Sequence, residues 1–402
     1  MSDDASAHSE APWALRSVDD LCAFVTSGGT PSRRQSCYFD PGVVPWIKTG
    51  DLIDGYVTKY DEYISEQGVA NSSAKLLPTD TVLMAMYGAT VGRLGMLSEP
   101  ATCNQAACAM VVDSAVAEPR WLFYVLLDDR TRIVSKANGA AQQNLSARVI
   151  KTFRYPTPSL PEQRAIAEVL GVLDDKIAAN TKLAGSVDEY LAAVILRHLK
   201  AGLQEVVPLS HIADINAESV KPSLENSLRY IDIASVGVGR FDFPAVSAWT
   251  EAPSRARRRV CKGDTLWSTV RPNRRSHALN LSDDPLLVGS TGLAVVSPRE
   301  TGFAYLYQVT KLPHFTTYLE GAAEGSAYPA VRADRFGTAP VPLLPKADRD
   351  AFELVAAPLR EHSASLDDEN RTLAEVRDAL LPQLMSGKIQ VKDAGKMVEE
   401  VL

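Results

Sequence analysis

Between Arg255 and Arg275 the chain carries Arg255, Arg257, Arg258, Arg259, Lys262, Arg271, Arg274 and Arg275 against one acid, Asp264. Guanidinium groups at this density neutralise phosphates, and their planar fork reads guanine edges. The plainer alternative is a solvated basic face. Ser290 and Thr291, in the loop VGST, are short polar groups suited to phosphate contact or to capping a turn. Upstream, Ser27-Gly-Gly-Thr-Pro-Ser-Arg33-Arg34 is a glycine-rich basic loop whose amides and arginines can cradle a phosphate, or a plain turn. Lys48 follows a strand-like run. Tyr87-Gly-Ala-Thr-Val-Gly-Arg93 is a glycine-flanked loop able to approach a groove closely. Asn104 and Gln105 carry the amides that pair with adenine. Gln142, Gln143 and Asn144 carry them too, just before a helix start at Leu145-Ser146, where they can equally serve as an N-cap. The candidate DNA contacts are therefore Arg33, Arg34, Lys48, Tyr87, Arg93, Asn104, Gln105, Gln142, Gln143, Arg257, Arg258, Arg271, Arg274, Arg275, Ser290 and Thr291.

Catalytic patterns are missing. Ser386-Gly387-Lys388 lacks the upstream glycine and following hydroxyl of a phosphate-binding loop, and Gly237-Val-Gly239 meets Asp242 where a dinucleotide fingerprint wants glycine. No Asn/Asp-Pro-Pro-aromatic tetrapeptide of an amino-methyltransferase is present. Asp174-Asp175-Lys176 has nuclease-like spacing but lies in a helical pattern, where charges form the solvated face. The scattered serines and histidines suggest no triad. The pattern is that of a non-catalytic recognition protein with no cofactor or metal of its own.

A net charge of −7 looks wrong for a DNA binder until it is located. Residues 1–16 carry −2, residues 159–203 carry −1 and residues 346–402 carry −4, so the remainder is neutral. Five cysteines without a CxxC pair point to a reducing cytoplasm. No run approaches the ~18 apolar residues of a membrane span. The acidic N-terminus lacks the features of a signal peptide and reads as a flexible tail.

The elements that must hold these groups come in two copies. Phe153-Arg-Tyr-Pro-Thr-Pro-Ser-Leu-Pro161 aligns with Gly337-Thr-Ala-Pro-Val-Pro-Leu-Leu-Pro345, and Pro78-Thr-Asp-Thr-Val-Leu83 with Lys262-Gly-Asp-Thr-Leu-Trp267, both 184 residues apart. A repeat of this size sets the architecture. Each copy is followed by a heptad pattern. Ile166, Leu170, Leu173, Ile177, Asn180, Ala184, Val187, Leu191 and Val194 form one seam, with Asn180 as a polar interruption. Phe352, Leu359, Leu366, Leu373 and Leu380 form the other, with Val355 and Val376 between them, and Pro382 and Gly387 should end or kink that helix. Ile166, Leu173, Asn180, Val187, Leu359, Leu366, Leu373 and Leu380 are the candidate spacer and partner-docking positions. Neither apolar stripe can stand alone in water, so the two helices should pair.

The expected fold is α+β. Residues 1–16 are a flexible tail, 17–158 the first domain, 159–203 a central spacer helix, 204–345 the second domain, 346–390 a C-terminal spacer helix and 391–402 a tail. Strand-like runs, among them Thr81–Met86 and Ala107–Val112 in the first copy and Thr265–Val270 in the second, give each domain a largely β core. A coiled-coil adaptor holding two protein-binding domains is the alternative reading.

SGGTPSR, PWIKTGDL, YGATVG, GAAQQNLS and PSLPEQRAIAEVLGVLDDKI, in that order, resemble the specificity subunit of type I restriction–modification systems. The second copy adds RYIDIASV, KGDTLWSTVRP and ENRTLAEVRDALLPQLMSGKI. The likeness covers the chain beyond its N-terminal tail. It implies two target-recognition domains separated by two long helices paired as an antiparallel coiled coil, each domain reading half of a gapped site in double-stranded DNA. It further implies that two methyltransferase subunits dock on the helices and that translocase–nuclease subunits join them. S-adenosylmethionine, ATP and Mg would be used by those partners. Lys346-Ala-Asp-Arg349 departs from the Pro-Glu-Gln-Arg of the first copy, so the two docking surfaces need not be alike.

Overall fold

The computed structural model describes residues 13–137, 144–202, 204–221, 227–325 and 328–402. The chain divides into two compact units, Met1–Ala178 with Asn370–Leu402, and Ala179–Glu369.

The first unit starts with β1 (Ala14–Ser17), one helical turn α1 (Val18–Leu21) and β2 (Cys22–Ser27). Ser17 caps α1 reciprocally: its Oγ accepts the Asp20 N–H while the Asp20 carboxylate accepts the Ser17 N–H. There follow β3 (Val44–Ile47), β4 (Tyr56–Val57), β5 (Tyr63–Ile64), α2 (Glu66–Ala70), β6 (Val82–Ala85), β7 (Leu94–Leu97), β8 (Thr102–Cys103) and β9 (Ala107–Val112). Then come α3 (Pro119–Asp128), α4 (Arg130–Ala137), α5 (Ala147–Lys151) and β10 (Arg154–Thr157), which leads into α6 (Leu160–Lys200). One sheet has the order β2-β9-β6-β7-β4, another β5-β3-β8, and β1 pairs antiparallel with β10. Ala14 to Arg16, expected to lie in a flexible tail, are instead held in that ladder; residues 1–12 of that expected tail lie outside the described residues.

The central strand β6 reads as an unbroken apolar run because both of its faces are covered. Val82 and Met84 join Trp121, Tyr124 and Leu170 in one core, and Leu83 and Ala85 join Ile47 and Ala109 in another.

The second unit repeats this plan with β11 (Glu205–Pro208), β12 (Ala213–Ile215), β13 (Ser227–Ile231), β14 (Val246–Ala248), β15 (Ala256–Arg259), β16 (Thr265–Ser268), β17 (His277–Leu279), β18 (Leu287–Ser290) and β19 (Leu293–Pro298). It continues with α7 (Phe303–Thr310), α8 (Pro313–Ala322), α9 (Ala333–Gly337), β20 (Pro340–Leu343) and α10 (Lys346–Met385); α11 (Val391–Glu399) belongs to the first unit. The sheet order β12-β19-β16-β17 matches β2-β9-β6-β7, and β11 pairs with β20 as β1 does with β10. Parallel pairs β3–β8 and β13–β18 also correspond.

Strand by strand, the repeat is not the uniform offset read from the sequence. The pair Val82↔Met96 corresponds to Thr265↔Leu279, one residue short of the 184-residue offset, and α5 corresponds to α9, two residues beyond it. Leu83 therefore corresponds to Leu266, not to Trp267. Trp267 faces the helical layer with Phe315, as Met84 faces Trp121. A one-residue slip in a strand moves a side chain to the opposite face, so only the burial of each face shows the correct pairing.

Each unit holds part of the long helices. In the first, Leu170 and Leu173 of α6 share a core with Leu373 and Leu380 of α10, and Arg377 Nη1 lies 2.6 Å from Asp174 Oδ1. In the second, Asn180 Nδ2 donates to Glu369 Oε2 at 2.8 Å, and Arg360 Nη2 lies 2.7 Å from Asp188 Oδ1. Numbers rise along α6 as they fall along α10, so the pairing is antiparallel. Burial favours neutral Asp188, but Lys311 and Arg360 outweigh it and hold the carboxyl below its ordinary range. Two sequence readings change. Val355 is exposed, and Ala356 takes the buried position beside Phe352. Residues 391–402 are no tail, because Ala394 and Val398, four apart on one face of α11, are buried in the first unit's core. The long helix runs through Pro382 and stops at Gly387, whose φ is 67°.

Leu373 is fully buried. Leu373→Ala should therefore cost about 2–5 kcal/mol of unfolding free energy in a denaturant titration. The exposed Val355→Ala should stay within about 0.5 kcal/mol of the parent.

Candidate nucleic-acid interface

The antiparallel ladder of the first domain gathers most of the sequence candidates at one sheet end. Ala85 pairs with Ala107, and the Met86 N–H donates to the Ala106 carbonyl, so Tyr87 leaves β6 beside Gln105 entering β9. Ser27, the last residue of β2, pairs with Cys108, which brings Gly28 and Gly29 to the same place. Arg93 immediately precedes β7 and is exposed. Tyr87 bridges to Asn144; Gln142 and Gln143 lie outside the described residues. The helix cap there is Ser146, whose Oγ accepts the Val149 N–H.

Individual side chains at this end differ in how far they are committed. Arg33 lies 4.7 Å above Phe39 and 5.2 Å from Trp46, and it pairs with Glu62 at 2.5 Å. Lys48 Nζ lies 3.0 Å from the other Glu62 oxygen. Lys48, and after it Arg33, hold the Glu62 carboxyl below its ordinary range. This trio keeps one net positive charge. Arg34 is exposed, and no ion pair holds it among the described residues. Gln105 Oε1 accepts from Thr30 Oγ1, which ties the glycine loop to β9. Asn104 Oδ1 accepts the Ala106 N–H at 3.2 Å, so its oxygen serves its own turn.

In the second domain the same end carries different chemistry. The loop after β16 holds Arg271, Arg274 and Arg275; the Thr269 N–H donates to Gly292, and Val270 bridges to Ala330 as Tyr87 does to Asn144. Arg271 (φ 52°) and Arg275 (φ 54°) occupy the left-handed places that Gly88 (φ 72°) and Gly92 (φ 80°) hold in the first domain. A left-handed backbone costs a non-glycine residue about 1–2 kcal/mol. Two arginines kept where the sister loop has glycine are strain of the sort that gathers at functional sites. Arg274 and Arg275 are exposed without side-chain partners among the described residues, and the Arg271 guanidinium lies 4.7 Å above Tyr328.

Other members of the basic run separate. The Thr291 N–H donates to Arg255, so Arg255 stands at the loop end, whereas Arg257, Arg258 and Arg259 lead away along β15. Arg257 donates to the Ala256 carbonyl, and Arg259 pairs with Glu218 at 2.9 Å. Arg258 is half-buried, and its Nε has no partner among the described residues. Ser290 is fully buried and accepts the Gly292 N–H, which makes it a turn cap and not an exposed phosphate contact; Thr291 is exposed. Tyr328 was not singled out by sequence, and Arg255, though named in the basic run, was not among the candidate contacts. Their roles depend on ladders that no local pattern reveals.

Behind the arginine loop His277 is buried and stacks on Trp267 at 4.8 Å. Its Nδ1 lies 2.6 Å from the Arg275 carbonyl. A carbonyl only accepts, so the neutral ring carries its proton on Nδ1 and clamps the left-handed turn. Burial, reinforced by Lys311 and Arg360, pushes its pKa down to about 4. Among the described residues no cluster of His, Cys, Asp or Glu fits a metal ion, and no helix is long and apolar enough to cross a membrane.

With this geometry in place, the comparisons with known proteins are informative. The family model for the type I restriction modification DNA specificity domain matches residues 10–187. Over these residues the chain is therefore similar to a type I DNA specificity domain. Similarity to specificity subunits, as the motifs suggested, extends over the rest of the chain. The MjaIX specificity subunit of Methanocaldococcus jannaschii is 21% identical over 417 residues, 95% of this chain and 94% of that protein. The EcoR124I/EcoR124II specificity subunit of Escherichia coli is 25% identical over 152 residues, 37% of each chain. Among solved structures, the type I S subunit from M. genitalium shares the fold with a TM-score of 0.57 at 18% identity, covering 96% of this chain and 99% of that one.

Three outcomes are expected of the arginine loop and the histidine behind it. Arg275→Gly should leave thermal stability unchanged or raised by up to about 1 kcal/mol, because it removes left-handed strain, whereas glycine at an ordinary position costs about 0.5–1 kcal/mol. The same variant should bind DNA more weakly in a titration. His277 stays neutral when folded but protonates near 6.5 when unfolded. Its contribution is whole above pH 6.5 and is lost as pH falls toward about 4. His277→Asn should flatten the pH dependence of unfolding free energy in that window.

Proposed function

We propose that this chain is the non-catalytic address of a type I restriction–modification complex. Each domain reads half of a bipartite, gapped site in double-stranded DNA, and the chain directs partner methyltransferase and restriction subunits to it. One observation carries this reading. Both domains present the same sheet end, built by equivalent ladders, but with unlike groups: Tyr87, Gly88 and Gly92 in one, Val270, Arg271 and Arg275 in the other. Equivalent scaffolds with divergent tips suit two half-sites of different sequence, which a symmetric dimer does not need. Arg33, Arg34, Lys48, Arg93, Arg271, Arg274 and Arg275 supply phosphate and guanine contacts, and Gln105, Gln142 and Gln143 supply amides.

The long helices support the partner reading. Val172, Leu183, Tyr190 and Leu196 on α6 and Leu354 on α10 are exposed, Leu354 at 80%. Apolar side chains left outside a paired seam suit docking of methyltransferase subunits. Chemistry that needs S-adenosylmethionine, ATP and Mg belongs to those partners.

The test is methylome sequencing of a host carrying this chain and its methyltransferase, before and after residues 13–158 are exchanged for another first domain. One half-site should change and the other persist. Loss of both halves, or DNA binding by the chain that does not weaken between low and raised salt, would reject the reading in favour of a protein-binding adaptor.

A further inference from the structure

Beside each loop stands an exposed aliphatic residue that the functional reading leaves unused. In the first domain it is Ile53, 63% exposed; in the second it is Val238, 64% exposed. Each is followed by a residue in the left-handed region, Asp54 at φ 60° and Gly239 at φ 80°. That next residue ties the turn to the strand leaving the specificity loop. The Asp54 N–H donates to the Leu94 carbonyl at 2.9 Å, and the Gly239 N–H donates to the His277 carbonyl at 2.8 Å. Leu94 and His277 open the equivalent strands β7 and β17. Ile53 therefore sits beside the Gly88–Arg93 loop, and Val238 beside the Arg271–Arg275 loop. Val238 is further held by a bridge to His277, and the exposed Arg240 follows two residues on.

A single exposed aliphatic needs no explanation. This case differs because the position recurs. The surrounding residues, Asp51-Leu-Ile-Asp-Gly55 and Val236-Gly-Val-Gly-Arg240, share almost nothing, yet exposure, branching, the left-handed residue that follows and the strand contact are all repeated. A polar residue would be cheaper to leave in water at a bare turn. The β-branched side chain is also stiff about χ1, so little entropy is lost when it is pressed against a partner.

The loops beside these residues supply charge and hydrogen-bonding groups. Ile53 and Val238 add an aliphatic contact beside the exposed rings of Tyr87 and Tyr328, and the major-groove edge of DNA has one apolar feature, the 5-methyl group of thymine. We infer that Ile53 and Val238 are the specificity-determining apolar contacts of the two domains, each seated against a thymine methyl in its half-site. Insertion as a wedge between base pairs is a different use of an aliphatic side chain; it would distort the duplex without requiring the methyl.

The inference rests on the DNA-reading function proposed above, and the test separates the two. Duplexes enriched from a random pool by the full-length chain define its site. Deoxyuridine, which lacks the methyl, then replaces thymidine one position at a time. At one position in each half, wild-type affinity should fall about fourfold, the worth of one buried methyl-sized group. Val238→Ala should lose that sensitivity in the second half alone, and Ile53→Ala in the first half alone. Both substitutions are at exposed positions, so both variants should keep the parent's thermal stability. Wild-type indifference to every deoxyuridine, unchanged sensitivity in the alanine variants, or a half-site without thymine would overturn the inference while leaving sequence-specific binding intact. Failure to enrich any sequence would instead remove the function on which it rests.

Discussion

The candidate interface depends on one constraint, the antiparallel ladder of the central strands. Where β6 ends, β9 begins, so Ala85 pairs with Ala107 and residues far apart in sequence become neighbours. The same holds for Ser268 and Leu293 in β16 and β19. These strands are buried on both faces, and a shift of one residue would turn Met84 and Leu83 into each other's core. Burial thus locks the register, and the register fixes which loops share an end. The tips of those loops are free to change without touching the ladder.

That separation explains how two domains with one topology carry different chemistry. In the first, glycines hold the left-handed places, and a Glu62 carboxylate shared by Arg33 and Lys48 restrains the cations. In the second, arginines occupy the left-handed places, and the support comes from behind, through the His277 ring held between Trp267 and the Arg275 carbonyl. Backbone strain of about 1–2 kcal/mol per residue is tolerable where a buried aromatic stack over-determines the turn.

The long helices follow another rule. Each presents an apolar stripe with too little surface of its own to bury it, so each stripe is covered by the other helix and by the adjoining domain. Capping couples helix to domain as well. Gln163 of α6 accepts the Glu118 N–H at the start of α3, and Glu353 of α10 accepts the Ala304 and Tyr305 N–H groups at the start of α7. An N-terminal amide left unpaired in a covered helix end would be costly. The long helices satisfy those of α3 and α7, which sets where each helix meets its domain.

By itself, the sequence determined the two-copy plan, the long helices and the specificity-subunit resemblance. These reside in periodicity and motif order, which are properties of the chain: Leu366, Leu373 and Leu380 are seven apart wherever they fold. Tertiary structure decided the rest. It separated Arg257 and Arg258 from Arg271 and Arg275, buried Ser290 as a turn cap, and turned the expected C-terminal tail into α11. It also exchanged Val355 for Ala356 at the helix seam. The reason is common to all of these. A side chain's exposure and partners depend on which strand or helix lies across from it, and a strand's facing changes with every residue of offset. The repeat was visible in the sequence, but its alignment, one residue short at β16 and two beyond at α9, was set by the cores on either side of the sheet.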